Sequence, residues 1–94
     1  MRLIWSPRAK DDLRHVGQYV AEFNTIAALA LVRRLRQAAK ALADHPHTGR
    51  LGRVEDTREL LVSGTNYILP YRVRDGRVEI LAAIHASREW PDKL

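Results

Sequence analysis

The sequence has no cysteine and no long apolar run, and each absence excludes a class of protein. Without cysteine there is neither a disulfide framework nor thiolate chemistry. No apolar stretch approaches the roughly 18 residues that a membrane-spanning helix needs, and the N-terminal MRLIWSPRAKDD lacks the apolar core of a secretory signal. There is also no glycine-rich nucleotide loop and no G-x-S-x-G nucleophile elbow. We therefore predict a soluble, cytoplasmic protein.

The composition predicts one small basic domain spanning residues 1–94. A chain of 94 residues supports a single core, and a 46% hydrophobic content with clear periodicity argues against disorder. The net charge is +5, and thirteen of the 16 basic residues are arginine, which suits bidentate contact with phosphates and carboxylates. A polyanion or an acidic protein is the expected partner, and charge alone does not choose between them.

The first half of the chain predicts a short strand followed by two helices. Residues 2–5 form the strand, Ser6 is the N-cap of the first helix and Pro7 its first residue. Asn24 is expected to end this helix in a left-handed conformation, and Thr25 to cap a second helix that runs to about Asp44. Their tight connection makes a helical hairpin. The expected inward residues are Ala9, Leu13, Val16, Val20 and Phe23, then Ala28, Leu31, Leu35, Ala38 and Leu42.

The second half changes to the period of a β-sheet. Residues 45–56 form a long loop, and strands follow at 57–63, 67–74 and 78–85, the last two joined by the strong hairpin turn Asp75–Gly76. The predicted order is β-α-α-β-β-β, an α+β fold with the helical hairpin packed on one face of an antiparallel sheet.

The register of the last hairpin divides the sheet into two faces. It places Arg72 opposite Glu79 and Leu69 opposite Ala82. Pro70 cannot donate a ladder hydrogen bond, so we expect either a local bulge there or a less regular strand over 67–74. The side facing the helices comprises Tyr67, Leu69, Tyr71, Val73, Val78, Ile80, Ala82 and Ile84. The other side carries Leu61, Ile68, Pro70, Leu81 and Ala83. No third helix covers that side, so we expect an external protein on it; self-association, or a C-terminal tail folded over it through Trp90, are the alternatives.

Charged side chains suggest two kinds of site. RNA cleavage through the 2′-hydroxyl needs a base, an acid and cations, for which the candidates are Arg53, Arg58, Glu59, Arg72, His85 and Arg88. Arg72 and Glu79 can equally form a structural ion pair, and His85 a backbone contact. His45 and His47 lack the further ligands of a metal site, and we expect no metal and no cofactor.

Five segments carry a further signal: WSPRAKDDL (5–13), YVAEFNTIAA (19–28), LADHPHTGRLGRVEDTREL (42–60), YILPYRV (67–73) and HASREWP (85–91). Together they resemble the RelE/ParE toxins of bacterial type II toxin-antitoxin systems, and more closely the ParE side. The resemblance implies a toxin wrapped by the acidic or amphipathic tail of a cognate antitoxin, with operator DNA bound only through that antitoxin. We expect no contact with a membrane, since no apolar run is long enough to cross one.

The resemblance implies one of two targets. RelE-like members cleave messenger RNA on the ribosome, whereas ParE-like members resemble inhibitors of DNA gyrase. RNase members usually carry an arginine three residues before the tyrosine of the third strand, where this chain has Ile68 before Tyr71, and isoleucine cannot hold a phosphate.

We therefore expect a gyrase-binding toxin rather than an enzyme. The alternatives are a ribosome-dependent RNase and a copy that has lost toxicity and only binds antitoxin. The expected antitoxin contacts are Leu61, Ile68, Pro70, Arg72, Leu81 and Ala83. The expected target contacts are Arg50, Arg53, Arg58, Arg88 and Trp90.

Overall fold

Two helices lie on one face of a six-stranded sheet in the computed structural model, which describes all 94 residues, Met1–Leu94. The elements are β1 (Arg2–Trp5), α1 (Pro7–Ala21), α2 (Thr25–Asp44), β2 (Arg50–Leu51), β3 (Arg58–Leu61), β4 (Tyr67–Arg74), β5 (Arg77–Ile80) and β6 (Ile84–His85). The predicted α+β class and helical hairpin are confirmed. Neither helix is long and apolar enough to span a membrane.

The helix starts show one correct and one wrong prediction. Ser6 caps α1, since its side chain accepts a hydrogen bond from the Ala9 N–H at 3.0 Å, and Pro7 follows as predicted. Asn24 has φ of −162°, which is extended rather than left-handed, and its amide oxygen accepts from the Ala27 N–H at 2.9 Å. Asn24 is therefore the N-cap of α2 and does not terminate α1, which already ends at Ala21.

The core forms where the hairpin packs on the central strands. Leu13 of α1 and Leu35 of α2 pack into one cluster with Leu69, Tyr71 and Ile80 of the sheet. Most residues expected to point inward are buried. Phe23 is a wrong prediction, because its side chain is 74% exposed. It lies beyond the last residue of α1, so the helical period no longer directs it to the sheet.

The sheet has the strand order β1-β5-β4-β3-β2, with β6 also paired to β4. All pairs are antiparallel except β1 with β5, which are parallel. Asp75 and Gly76 have φ of 52° and 73°, as the predicted two-residue turn requires, and Arg72 is the register partner of Glu79 as predicted. The predicted loop over residues 45–56 contains the short strand β2.

A bulge opposite Pro70 interrupts the last predicted strand. β5 ends at Ile80 and β6 begins at Ile84, so residues 81–83 contain one residue more than the facing part of β4. Ile68 consequently pairs with Ile84, and not with Ala83 as the unbroken register requires. Proline offers no N–H to the ladder, which is the physical reason for a break at this place. The expected pairing of Leu69 with Ala82 is lost.

The bulge exchanges the faces of the residues that follow it. Ala83 was expected on the side away from the helices, but it packs in the helix-side core and its N–H donates to Asp12 Oδ2 of α1 at 3.0 Å. Ile84 was expected on the helix side and instead pairs with Ile68, outside the helix-side core cluster. A one-residue shift has this effect because side chains alternate between faces.

The exposure of Phe23 gives the first testable prediction. Phe23→Ser should change the free energy of unfolding by less than about 0.5 kcal/mol, because the ring contacts water in the folded chain. Leu13→Ala, at a residue of α1 that is 3% exposed, should cost about 2–5 kcal/mol. Urea unfolding of both variants measures the difference. A large loss in Phe23→Ser would show that the ring is buried after all.

Candidate functional site

Glu59 of β3 is the centre of the most elaborate polar cluster in the chain. Its side chain is 2% exposed and accepts from the side chains of two arginines. Arg50 donates to Oε1 from Nε at 3.1 Å and from Nη2 at 2.9 Å. Arg53 donates to Oε2 from its backbone N–H at 2.8 Å and from Nε at 3.1 Å, and its Nη2 reaches Oε1 at 3.3 Å. Both carboxylate oxygens are therefore fully engaged.

These contacts fix the charge of Glu59. Burial raises the pKa of the carboxyl group, but the hydrogen bonds from Arg53 and Arg50 outweigh it and hold the pKa below its ordinary value. A carboxylate with a lowered pKa and no free lone pair is a poor proton acceptor. Glu59 thus serves as a structural anion.

The same cluster extends to the C-terminal tail. The guanidinium carbon of Arg53 lies 3.8 Å from the centre of a Trp90 ring, a cation-π contact. The C-terminal tail therefore reaches the sheet at Glu59. This is the contact expected if the tail, rather than an external protein, folds over this side of the sheet through Trp90. Trp90 is half-buried, and its indole Nε1 is buried without a hydrogen-bond partner.

Tyr71 and Arg58 hold the segment that leads into β2. The Tyr71 hydroxyl donates to the Pro46 carbonyl at 2.7 Å and accepts from the Gly49 N–H at 2.9 Å. Arg58 Nη1 donates to the Gly49 carbonyl at 2.8 Å. A Cβ on Gly49 would lie 2.6 Å from the Tyr71 ring, so only glycine fits against it. Burial raises the pKa of Tyr71, which keeps the hydroxyl protonated for these bonds.

His85 and Arg88 lie elsewhere, in a cleft of about 700 Å³ between α1 and the ends of β4 and β6. His85 Nδ1 accepts from the Ser87 N–H at 3.1 Å, so the neutral ring carries its proton on Nε2. Its ring makes an edge contact with Tyr67, at 5.2 Å between centres. Burial raises the pKa of Tyr67, and the nearby Arg88 charge partly opposes this.

Arg72 lies on the same side of the sheet as Glu59, two residues along β4 from Pro70, the register partner of Glu59. We call the sheet side away from the helices the outer face, and strand alternation places Arg72 and Glu79 on it. The expected ion pair between them does not form, since no carboxylate lies within 4.0 Å of Arg72. Arg72 Nε and Glu79 Oε1 are instead buried without hydrogen-bond partners.

The structure therefore divides the six RNase candidates among separate places. Glu59 binds Arg53 on the outer face, where Arg72 also lies but makes no hydrogen bond or ion pair with either of them. Arg58 binds loop carbonyls, and His85 and Arg88 line the cleft. Of the expected target contacts, Arg50, Arg53 and Arg58 are engaged within the chain. Arg88 makes no side-chain hydrogen bond or ion pair and is exposed.

The expectation of a bare apolar outer face is wrong. Ile68 is 5% exposed, Leu81 is 7% exposed and Pro70 is fully buried. Ala83 lies on the helix side because of the bulge. Leu61, at 53% exposed, is the apolar member of the expected antitoxin contacts that remains open.

Sequence reasoning missed two exposed features. Tyr19 and Phe23 are 63% and 74% exposed at the free end of the hairpin, with ring centres 5.5 Å apart. The ending of α1 two residues before Phe23 was the missed signal. On the outer face, Arg2, Arg74 and Arg77 fall at paired positions, which the strand register alone would have revealed once β1 was placed beside β5.

Comparison with known proteins agrees with this architecture. The structure matches one described as a chromosomal ParDE TA system from P. aeruginosa with a TM-score of 0.81 and 26% identity, over 90% of this chain and 95% of that chain. The sequence is 43% identical to Y4kP of Sinorhizobium fredii, over 99% of this chain and 96% of the relative. It is 38% identical to toxin RelE2 of Caulobacter vibrioides, over 93% and 97% respectively.

A helical hairpin on this sheet thus defines a toxin of the RelE/ParE class. The sequence model of the family described as ParE toxin of type II toxin-antitoxin system, parDE, matches residues 3–90. The chain belongs to this ParE toxin family, and an antitoxin partner is implied by the ParDE system.

The Glu59 cluster gives a stability prediction. Glu59→Gln should lower the free energy of unfolding by about 1.5–3 kcal/mol at pH 7, because charge-assisted hydrogen bonds are replaced by weaker ones. Thermal melting of both proteins measures it. An unchanged melting temperature would show that the hydrogen bonds from the two arginines to the carboxylate do not stabilise the fold.

The pH dependence follows from the lowered pKa of Glu59. Its contribution to stability is complete above the ordinary value of 4.5 and is lost as the pH falls through the lower folded pKa. The gap in melting temperature between the natural protein and Glu59→Gln should therefore narrow below pH 4.5. A gap that stays constant down to pH 2 would contradict the assignment.

Proposed function

We propose that this ParE-family toxin arrests growth by binding DNA gyrase in the cytoplasm, and that it does not cleave RNA. The observation that carries the proposal is the saturation of Glu59, since the best carboxylate candidate for a general base already accepts five hydrogen bonds. A toxin that binds needs an exposed recognition surface rather than convergent acid and base groups.

Two further observations support binding over cleavage. Ile68 occupies the position where RNase members usually carry a phosphate-holding arginine, and it is buried at 5% exposure. His85 and Glu59 lie in different surroundings, so a base and an acid do not face one space. No group of three His, Asp or Glu side chains is placed to hold a metal ion.

Arg88 is the proposed target contact that is free to act. It is exposed, its side chain has no partner within the chain, and it lies on the rim of the cleft beside α1. Arg50, Arg53, Arg58 and Trp90 act indirectly in this proposal, since their contacts hold the segment between α2 and β3 in shape.

The antitoxin neutralises the toxin by direct binding, and Leu61 is a proposed contact because it is the exposed apolar residue among those expected. The toxin reaches operator DNA only through that antitoxin. A copy that had lost its toxicity would keep this interaction and fail to arrest growth.

A supercoiling assay tests the target. Purified toxin added to gyrase and relaxed plasmid should block supercoiling and accumulate cleaved DNA. Arg88→Ala should raise the toxin concentration needed by about tenfold, as expected for loss of an interface arginine. Lys10→Ala, which also removes one exposed positive charge, is the matched control and should leave that concentration unchanged.

A second assay tests the enzyme alternative directly. Incubation of the toxin with ribosome-bound messenger should give no cleavage. Codon-positioned cuts that disappear in His85→Ala, with gyrase unaffected, would replace the proposal with the ribosome-dependent RNase. Unimpaired growth on induction, together with no effect in either assay, would show a copy that has lost its toxicity.

A further inference from the structure

Three arginines stand side by side on the outer face. In the register of three neighbouring strands, Arg2 of β1 is the partner of Arg77 of β5, and Arg77 is the partner of Arg74 of β4. Side chains at directly paired positions point to the same face, and strand alternation places this face away from the helices. We call Arg2, Arg77 and Arg74 the arginine row.

The arginine row has no counter-charge within the chain. The four ion pairs of the structure involve Arg8, Arg14, Arg50 and Arg53, and none involves a member of the row. Asp75, in the adjoining turn, and Glu79, one pair further along β5, both lie more than 4.0 Å from the row.

The polar atoms around the row are also unsatisfied. Arg77 Nε, Arg72 Nε and Glu79 Oε1 are buried without hydrogen-bond partners, on adjacent positions of the same face. Like charges directly opposite each other on paired strands lower the stability of a sheet. A cost of this kind at a compact surface is typical of residues retained for binding.

We propose that the arginine row is the docking site for an acidic segment of the antitoxin. This inference rests on the proposed function in so far as it assumes an antitoxin, and it identifies the surface that this antitoxin uses. Carboxylates provide the missing counter-charges, since guanidinium groups bind them in bidentate geometry.

The position of Arg2 favours a polypeptide. β1 is the terminal strand of the sheet and pairs only with β5, so its other edge presents unpaired backbone groups beside Arg2. An extended acidic segment along this edge could form main-chain hydrogen bonds and place a carboxylate next to the row.

The other occupants fit less well. A second copy placed across this face would bring arginines against arginines, which repel. Single-stranded nucleic acid is held by stacking on aromatic rings, but Trp5, Tyr67 and Tyr71 alternate to the helix side and Trp90 is stacked on Arg53.

A pair of charge-matched variants tests the proposal. Arg74→Gln/Arg77→Gln removes two charges from the row, and Arg33→Gln/Lys40→Gln removes two exposed charges from α2, so both lower the net charge from +5 to +3. The probes are poly-L-glutamate and oligo-dT of equal length. The row variant should bind poly-L-glutamate about tenfold more weakly at low salt, and the α2 variant less than about threefold.

Three outcomes would overturn the inference. An equal loss of poly-L-glutamate affinity in the two variants would show only the effect of net charge. Tighter binding of oligo-dT, lost in the row variant, would assign the row to nucleic acid. Binding of the co-encoded antitoxin that is unchanged in the row variant would place the antitoxin elsewhere and leave the proposed function intact, whereas no antitoxin binding by the natural toxin would defeat the proposed function itself.

Stability provides an independent readout. Removing like charges from the row should raise the melting temperature by about 1–3 °C, whereas the α2 variant should show no rise. Arg74→Gln alone, at an exposed position, should also raise the melting temperature, and it replaces the double variant if that variant folds poorly. A row that stabilised the free toxin would instead melt lower when neutralised, and the proposal would fail.

Discussion

The segment between α2 and β3 and the C-terminal tail both depend on the hydrogen bonds that the Glu59 carboxylate accepts from two arginines. This carboxylate binds two arginines that arrive from residues 50–53, and through Arg53 it also holds Trp90. A buried carboxylate without these partners would be costly, and the arginines without the carboxylate would leave the segment between α2 and β3 weakly held. One buried anion thus organises a loop, a short strand and the C-terminal tail.

The positive charge of the chain is consequently of two kinds. Arg50, Arg53 and Arg58 form hydrogen bonds within the chain. They therefore stabilise the segment between α2 and β3 more than they attract an external anion. The arginine row has no internal partner and is free for an external anion. A net charge of +5 does not reveal this division, because long-range attraction depends on the sum and recognition depends on which charges remain unpaired.

Pro70 shapes the sheet by a different route. Its missing N–H coincides with a bulge that moves Ala83 to the helix side and Ile84 to the outer face. The Ala83 N–H then donates to Asp12 of α1, and His85 and Arg88, which follow the bulge, line the cleft. The position of these two residues is therefore a consequence of backbone chemistry fifteen or so residues earlier in the chain.

The sequence by itself determined the local structure. The Ser6–Pro7 start, the two helices and the Asp75–Gly76 hairpin all follow from short-range rules, and their segments resemble one family across the chain. Tertiary structure decided what those rules do not reach. The burial of Ile68, the engagement of Glu59 and the arginine row depend on which strands become neighbours and where a register shifts. These are contacts between distant residues, and no local pattern encodes them.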